Sequence, residues 1–129
     1  MYLREFVVKG YSAQSELLKA MAHPVRLRIL DILIQGEACV CHLTAVLKRR
    51  QPYVSQQLMT LREMGLVSDR RDGLMVYYSL ADERVETLLI LTREMLRDGG
   101  VMIDLTSVPE APVSGCTCPK CEEAARRAA

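Results

Sequence analysis

The five cysteines of this chain fall into two groups whose spacing suits the chelation of a soft metal. Cys39-Val40-Cys41 sets two thiols two residues apart, and Cys116-Thr117-Cys118-Pro119-Lys120-Cys121 offers three within six residues. Thiolates select thiophilic ions, and four of them suit Cd(II), Pb(II) or Zn(II). His42 adds a nitrogen donor beside Cys41; failing that role it is expected on the surface. Either member of the first pair, alternatively, is simply a small buried apolar residue. An odd number of cysteines, behind an N-terminus where Arg4, Glu5 and Lys9 interrupt the apolar letters, implies thiols in a reducing cytoplasm, open to metal or redox chemistry. Cys118-Pro119-Lys120-Cys121 also has the spacing of disulfide-exchange enzymes, but those place it inside a βαβ unit, which this sequence does not contain. No glycine-rich phosphate loop, placeable Ser-His-Asp set or carboxylate pair in an evident cleft is present, so the chain is not expected to be an enzyme.

The elements that must position these thiols follow from the hydrophobic pattern of the 129 residues, 50% apolar and 26% charged. The longest apolar run, Leu74 to Tyr78, is too short to span a membrane, which needs about 20 residues. Ser12 is a candidate cap for a first helix carrying Leu17, Leu18 and Met21. His23 caps and Pro24 begins a second, central helix with Val25, Leu27, Ile29, Leu30, Leu33 and Ile34, stopped by Gly36. A short helix follows from about Val40 to Leu47, then the basic turn Lys48-Arg49-Arg50. Pro52 opens a fourth helix with Val54, Leu58 and Leu61 facing inward, ended by Gly65. The period then falls from 3.6 to 2, and Asp72-Gly73 predicts a two-residue type I′ turn between strands running from Leu66 and to Leu80. Asp82 and Glu83 begin a last long helix that Gly99-Gly100 ends. Its Leu88-Leu89-Ile90-Leu91 run exceeds one buried stripe, so the first and last helices are expected to pair two copies. The fold class is therefore mainly α with a β-hairpin wing, a homodimeric winged helix-turn-helix. Residues 1–105 form its DNA-binding and dimerisation domain and residues 106–129 a cysteine-containing C-terminal tail.

The net charge of +1 hides a local excess: between Thr44 and Met75 there are six Lys and Arg against three Asp and Glu. Lys48, Arg49, Arg50, Arg70 and Arg71 are placed to reach phosphates from the turn and the wing. Tyr53, Gln56 and Thr60 point away from the apolar face of the fourth helix, with Ser55 at its flank and Gln51 at its entrance. Their hydroxyls and amides suit base edges in a major groove.

Three blocks occur in order: Ala22-His23-Pro24-Val25-Arg26-Leu27-Arg28-Ile29-Leu30, Gln51-Pro52-Tyr53-Val54-Ser55-Gln56-Gln57-Leu58 and Leu61-Arg62-Glu63-Met64-Gly65-Leu66-Val67. With them the chain resembles the ArsR/SmtB family of metal-responsive bacterial repressors over about residues 14 to 98. The resemblance implies a cytoplasmic homodimer on an inverted-repeat operator in double-stranded DNA, with no membrane role, released by an inducer. It also implies that Cys39 and Cys41 form an inducer site for a thiophilic ion, As(III) or Sb(III) being favoured and Cd(II), Pb(II) or Zn(II) also suited. The arsenic-sensing pattern has a third cysteine where this sequence has Thr44, so further ligands are expected from Cys116, Cys118 and Cys121. The tail then closes over the partner subunit's cysteine pair, holds an ion of its own, or stays unbound. The last helix carries no histidine, so the family's Zn(II) site there is not matched. Side chains two apart on a helix diverge by about 200°, so joint ligation by Cys39 and Cys41 is expected to distort the helix start. The alternative is a thiol-based redox or persulfide switch on the same fold, without metal.

Overall fold

The computed structural model describes residues 9–103 and 111–128. Helices α1 (Gly10–Met21) and α2 (Pro24–Ile34) lead into a two-residue strand β1 (Ala38–Cys39). Then come α3 (Val40–Leu47), α4 (Gln51–Glu63), the hairpin β2 (Val67–Asp72) and β3 (Met75–Leu80), α5 (Arg84–Asp98) and α6 (Pro119–Ala128). This is the expected winged helix-turn-helix order. The expected boundary between residues 105 and 106 lies outside the described residues.

One aliphatic core joins the helices. Ile29 and Leu30 of α2, Leu43 of α3, and Val54, Leu58 and Leu61 of α4 are all fully enclosed. Each such side chain contributes about 1.5–3 kcal/mol by leaving water. α2 starts as the sequence predicts: Pro24 is its first residue, and the His23 Nδ1 accepts the Val25 N–H at 3.2 Å. Two links brace it. Arg26 donates to the Oε1 of the buried Gln57 (3.0 Å) and to the Lys19 carbonyl (3.2 Å), and Arg93 of α5 pairs with Asp31 at 2.7 Å.

Three local expectations need correction. Ser12 does not cap α1; the helix begins at Gly10, with Lys9 as its flanking residue and the Lys9 carbonyl already accepting the Ala13 N–H. The wing turn sits one residue further on than Asp72-Gly73 implied. Asp72 pairs with Met75, leaving Gly73 and Leu74 as the loop. Only Gly73 has a positive φ, +61°, the pattern of a type II′ turn rather than I′. The register is decided by β3, which has work on both faces: Met75 and Tyr77 pack among the cysteines, while Tyr78 and Leu80 pack on the aliphatic core. A slip of one residue would exchange those faces. Finally, the hairpin is part of a three-stranded antiparallel sheet ordered β1-β3-β2, in which Cys39 pairs with Tyr77. The two residues of β1 are too few for a periodicity signal.

Candidate metal centre and nucleic-acid interface

Cys39 ends β1 in extended conformation (φ −79°, ψ 160°) and flanks α3, accepting the His42 N–H on its sulfur at 3.3 Å. Because it stands outside the helix, the two thiols are not held 200° apart: Cys39 Sγ and Cys41 Sγ lie 2.8 Å from each other. The distortion anticipated for joint ligation is therefore unnecessary. Thr44, in the position of the missing third cysteine, donates its hydroxyl back to the Cys41 carbonyl at 2.8 Å.

The remaining donors come from the C-terminal segment, which reaches the cysteine pair of its own chain. Cys116 Sγ is 3.8 Å from Cys41 Sγ. Four sulfurs around a zinc-like ion, each about 2.3 Å from it, stand about 3.8 Å apart. Cys39, Cys41, Cys116 and Cys118 have their sulfurs all within 4.8 Å of one another. A second set, His42, Cys116, Cys118 and Cys121, meets the same limit. These donor sets fit a thiophilic ion.

His42, expected on the surface unless it serves as a ligand, lies inside the cluster. It is not on the surface but 4% exposed, with Nδ1 3.2 Å from Cys121 Sγ. Its spacing from the buried Val46, one turn on, is the signal that points inward. Burial, and then the positive charge of Lys120, lower its pKa, which keeps the imidazole neutral and able to ligate.

The thiols differ in their protonation. Burial, then a hydrogen bond with Cys41, push the Cys39 pKa far up, and burial does the same to Cys116. Burial would raise Cys118 too. The Cys121 backbone N–H and the thiols of Cys116, Cys39 and Cys121 outweigh it, bringing Cys118 below its ordinary value. Cys118 immediately precedes α6 as Cys39 precedes α3, so two helix N-termini converge on the cluster and favour negative sulfur there.

On the opposite side of α4, Gln51 and Gln56 are exposed, Ser55 and Thr60 are half-buried, and Thr60 donates to the Gln56 carbonyl. Tyr53 does not point away as expected. It packs partly on the core, with the Arg49 guanidinium 5.4 Å from its ring centre. Lys48, with φ +53°, turns the chain from α3 into α4; it is exposed, as are Arg49 and Arg50. The two wing arginines separate. Arg71 is exposed, with no ion-pair partner among the described residues. Arg70, opposite Tyr77, is engaged instead: it grips both Glu37 oxygens at 2.7 and 2.6 Å and lies 4.5 Å from the Tyr77 ring centre. The Arg70 hydrogen bond holds the Glu37 carboxyl below its usual pKa. Arg71 stands on the other face of the strand. Gln57, which sequence reasoning missed, is the buried amide held by Arg26; it falls three residues after Val54, on the inward face.

The profile of the family described as "Bacterial regulatory protein, arsR family" matches residues 23–69. A biofilm growth-associated repressor of Agrobacterium fabrum is 47% identical over 73 residues, 57% of this chain and 62% of that protein. A transcriptional repressor SmtB homolog of Synechocystis is 47% identical over 74 residues, 57% of this chain and 56% of its own length. A probable mercury resistance operon repressor of Streptomyces lividans is 34% identical over 96 residues, 74% of this chain and 77% of that protein. Among solved structures, Rv0081 of M. tuberculosis superposes with a TM-score of 0.67 at 34% identity, covering 72% of this chain and 94% of that one. A homodimeric winged helix-turn-helix DNA-binding domain from Mycobacterium bovis gives 0.63 at 32% identity, covering 69% and 82%.

Proposed function

The chain belongs to the arsR family of bacterial regulatory proteins, DNA-binding transcriptional repressors rather than enzymes, and from that premise we propose that it is a homodimer released from operator DNA by a thiophilic ion held on its cysteine thiolates. The observation that carries this reading is the gathering of Cys39, Cys41, Cys116 and Cys118, from two distant stretches of sequence, at the start of α3. A bound ion would supply the cross-link between the tail and the helix-turn-helix. No helix among the described residues is long and apolar enough to cross a membrane.

α4 is the recognition helix in this reading. Gln51 and Gln56 meet base edges, with Tyr53, Ser55 and Thr60 at the margins, and Lys48, Arg49, Arg50 and Arg71 contact phosphates. Cys41 belongs to the first turn of α3, which packs on α4, while Cys39 belongs to β1, which is hydrogen-bonded to the wing strand β3. Closure of the tail on both thiols therefore acts at once on the element that seats the recognition helix and on the strand behind the wing. By linkage the ion must favour the free dimer over the DNA-bound one by the factor that it weakens DNA binding, about 5- to 150-fold for a typical coupling. The exposed Leu18, Ile90, Leu91, Met95 and Leu96 of α1 and α5 form the surface expected to pair two copies.

The test is fluorescence anisotropy on a duplex selected from a random library by the protein itself, under reductant, with As(III), Sb(III), Cd(II), Pb(II) and Zn(II) in turn. Wild type should leave the DNA and the Cys39→Ser, Cys41→Ser double variant should stay bound; equal release by both would remove the site from this reading. The 2.8 Å sulfur contact favours one second reading, in which an oxidant takes two electrons and two protons from Cys39 and Cys41 as a disulfide forms. Release that survives metal removal but is reversed by reductant would establish it instead.

A further inference from the structure

We infer that the cysteine cluster binds two divalent soft ions side by side, with Cys116 and Cys118 bridging them, Cys39 and Cys41 completing one site, and His42 and Cys121 completing the other. The inference rests on the metal-binding reading above and goes beyond it in naming a second ion and a nitrogen ligand. Its basis is the way the two four-donor sets overlap. They share Cys116 and Cys118 and no other residue, so six side chains supply four ligands to each of two ions. The shared thiols are also the central ones. Cys118 is in hydrogen-bonding reach of Cys39 on one side and Cys121 on the other, and Cys116 of Cys41 and Cys121. A thiolate sulfur has lone pairs enough for two ions, and four-coordination by N and S donors suits each of them.

Burial and charge favour two ions over one. An ion on the all-sulfur set leaves Cys121 (1% exposed) and His42 (4% exposed) enclosed, held by their mutual contact at 3.2 Å and the Val113 N–H on Cys121 Sγ, weak sulfur hydrogen bonds that a second ion would replace. Four thiolates around one divalent ion also leave two negative charges uncompensated in an enclosed site, whereas five around two ions leave one. Binding takes five thiol protons to solvent, and the ions keep their oxidation state. His42 enters as the neutral imidazole.

The experiment is native mass spectrometry of the full, reduced, metal-free chain titrated with Cd(II), followed by 113Cd NMR. Two ions per chain are expected, giving two 113Cd signals, one from an all-sulfur site and one from a mixed sulfur and nitrogen site, that split each other through the shared sulfurs. His42→Asn and Cys121→Ser should each reduce the count to one and keep the all-sulfur signal. One ion per wild-type chain, or two signals without mutual splitting, would overturn the bridged pair while leaving the single inducer site intact. No bound Cd(II) at all would overturn that site as well.

Discussion

The aliphatic core and the cysteine cluster are both enclosed, yet they hold the chain together by different means. The core, built on Ile29, Leu30, Leu43, Val54, Leu58 and Leu61, relies on burial and close packing, which neither pH nor metal alters. The cluster gathers Cys39, Cys118 and Cys121 with Cys41, Cys116, Met75, Tyr77 and Val113 around it, and its polar contacts are weak thiol hydrogen bonds. Thiols that must lose protons to bind an ion make a latch whose strength depends on the surroundings. β3 lies between them, one face on each. In the function proposed above, the DNA-binding scaffold is indifferent to the signal and sensitivity is concentrated in this small satellite.

That division can be broken most directly at α4. Leu58→Ala should cost about 2–5 kcal/mol in urea unfolding, while Cys121→Ser, without metal, should leave the midpoint nearly unchanged; equal losses would show that the two regions are one. Next in size, a thiophilic ion at about 100 times its Kd should stabilise the chain by about 2.7 kcal/mol. Deleting residues 112–129 should abolish that gain without changing DNA affinity in the absence of ion. On the DNA side, Gln56→Ala should cost about 1–3 kcal/mol on the preferred duplex. Arg71→Ala should weaken all duplexes alike and lower the salt slope by about 1. Arg70→Ala should leave the slope unchanged, because Glu37 already occupies that guanidinium. The smallest effect is one of pH. His42 has a lowered pKa in the folded chain, so the unfolded chain takes up its proton first on acidification. The metal-free protein should therefore lose stability as pH falls below the ordinary histidine value of about 6.5, until the folded pKa is passed. His42→Asn should flatten that part of a melting-temperature profile.

Most of the architecture was legible because its signals are local. Pro24, with His23 before it, marks a helix start through backbone constraint alone, and the spacing of Val54, Leu58 and Leu61 identifies the inward face of α4 without any partner. The change of period after Gly65 announced the wing, and the apolar surplus read in α5 is present as exposed Ile90, Leu91, Met95 and Leu96. Ser12 misled because a good capping residue does not have to cap when the helix can extend past it. Asp72-Gly73 misled because the hairpin register answered to packing on both faces of β3, a constraint stronger than the turn propensity of two residues.

The amino-acid order alone therefore determined the helix-turn-helix, the wing and the two groups of cysteines, since periodicity, capping and thiol spacing are written residue by residue. Only the tertiary structure decided that Cys39 belongs to a strand and not to α3, that His42 faces the tail, and that Arg70 turns to Glu37. Each of these outcomes depends on residues far apart in sequence arriving at one place. The physical reason is that side-chain pairing across the β1-β3-β2 sheet and burial beneath α6 are set by the packing of whole elements, which no local spacing encodes.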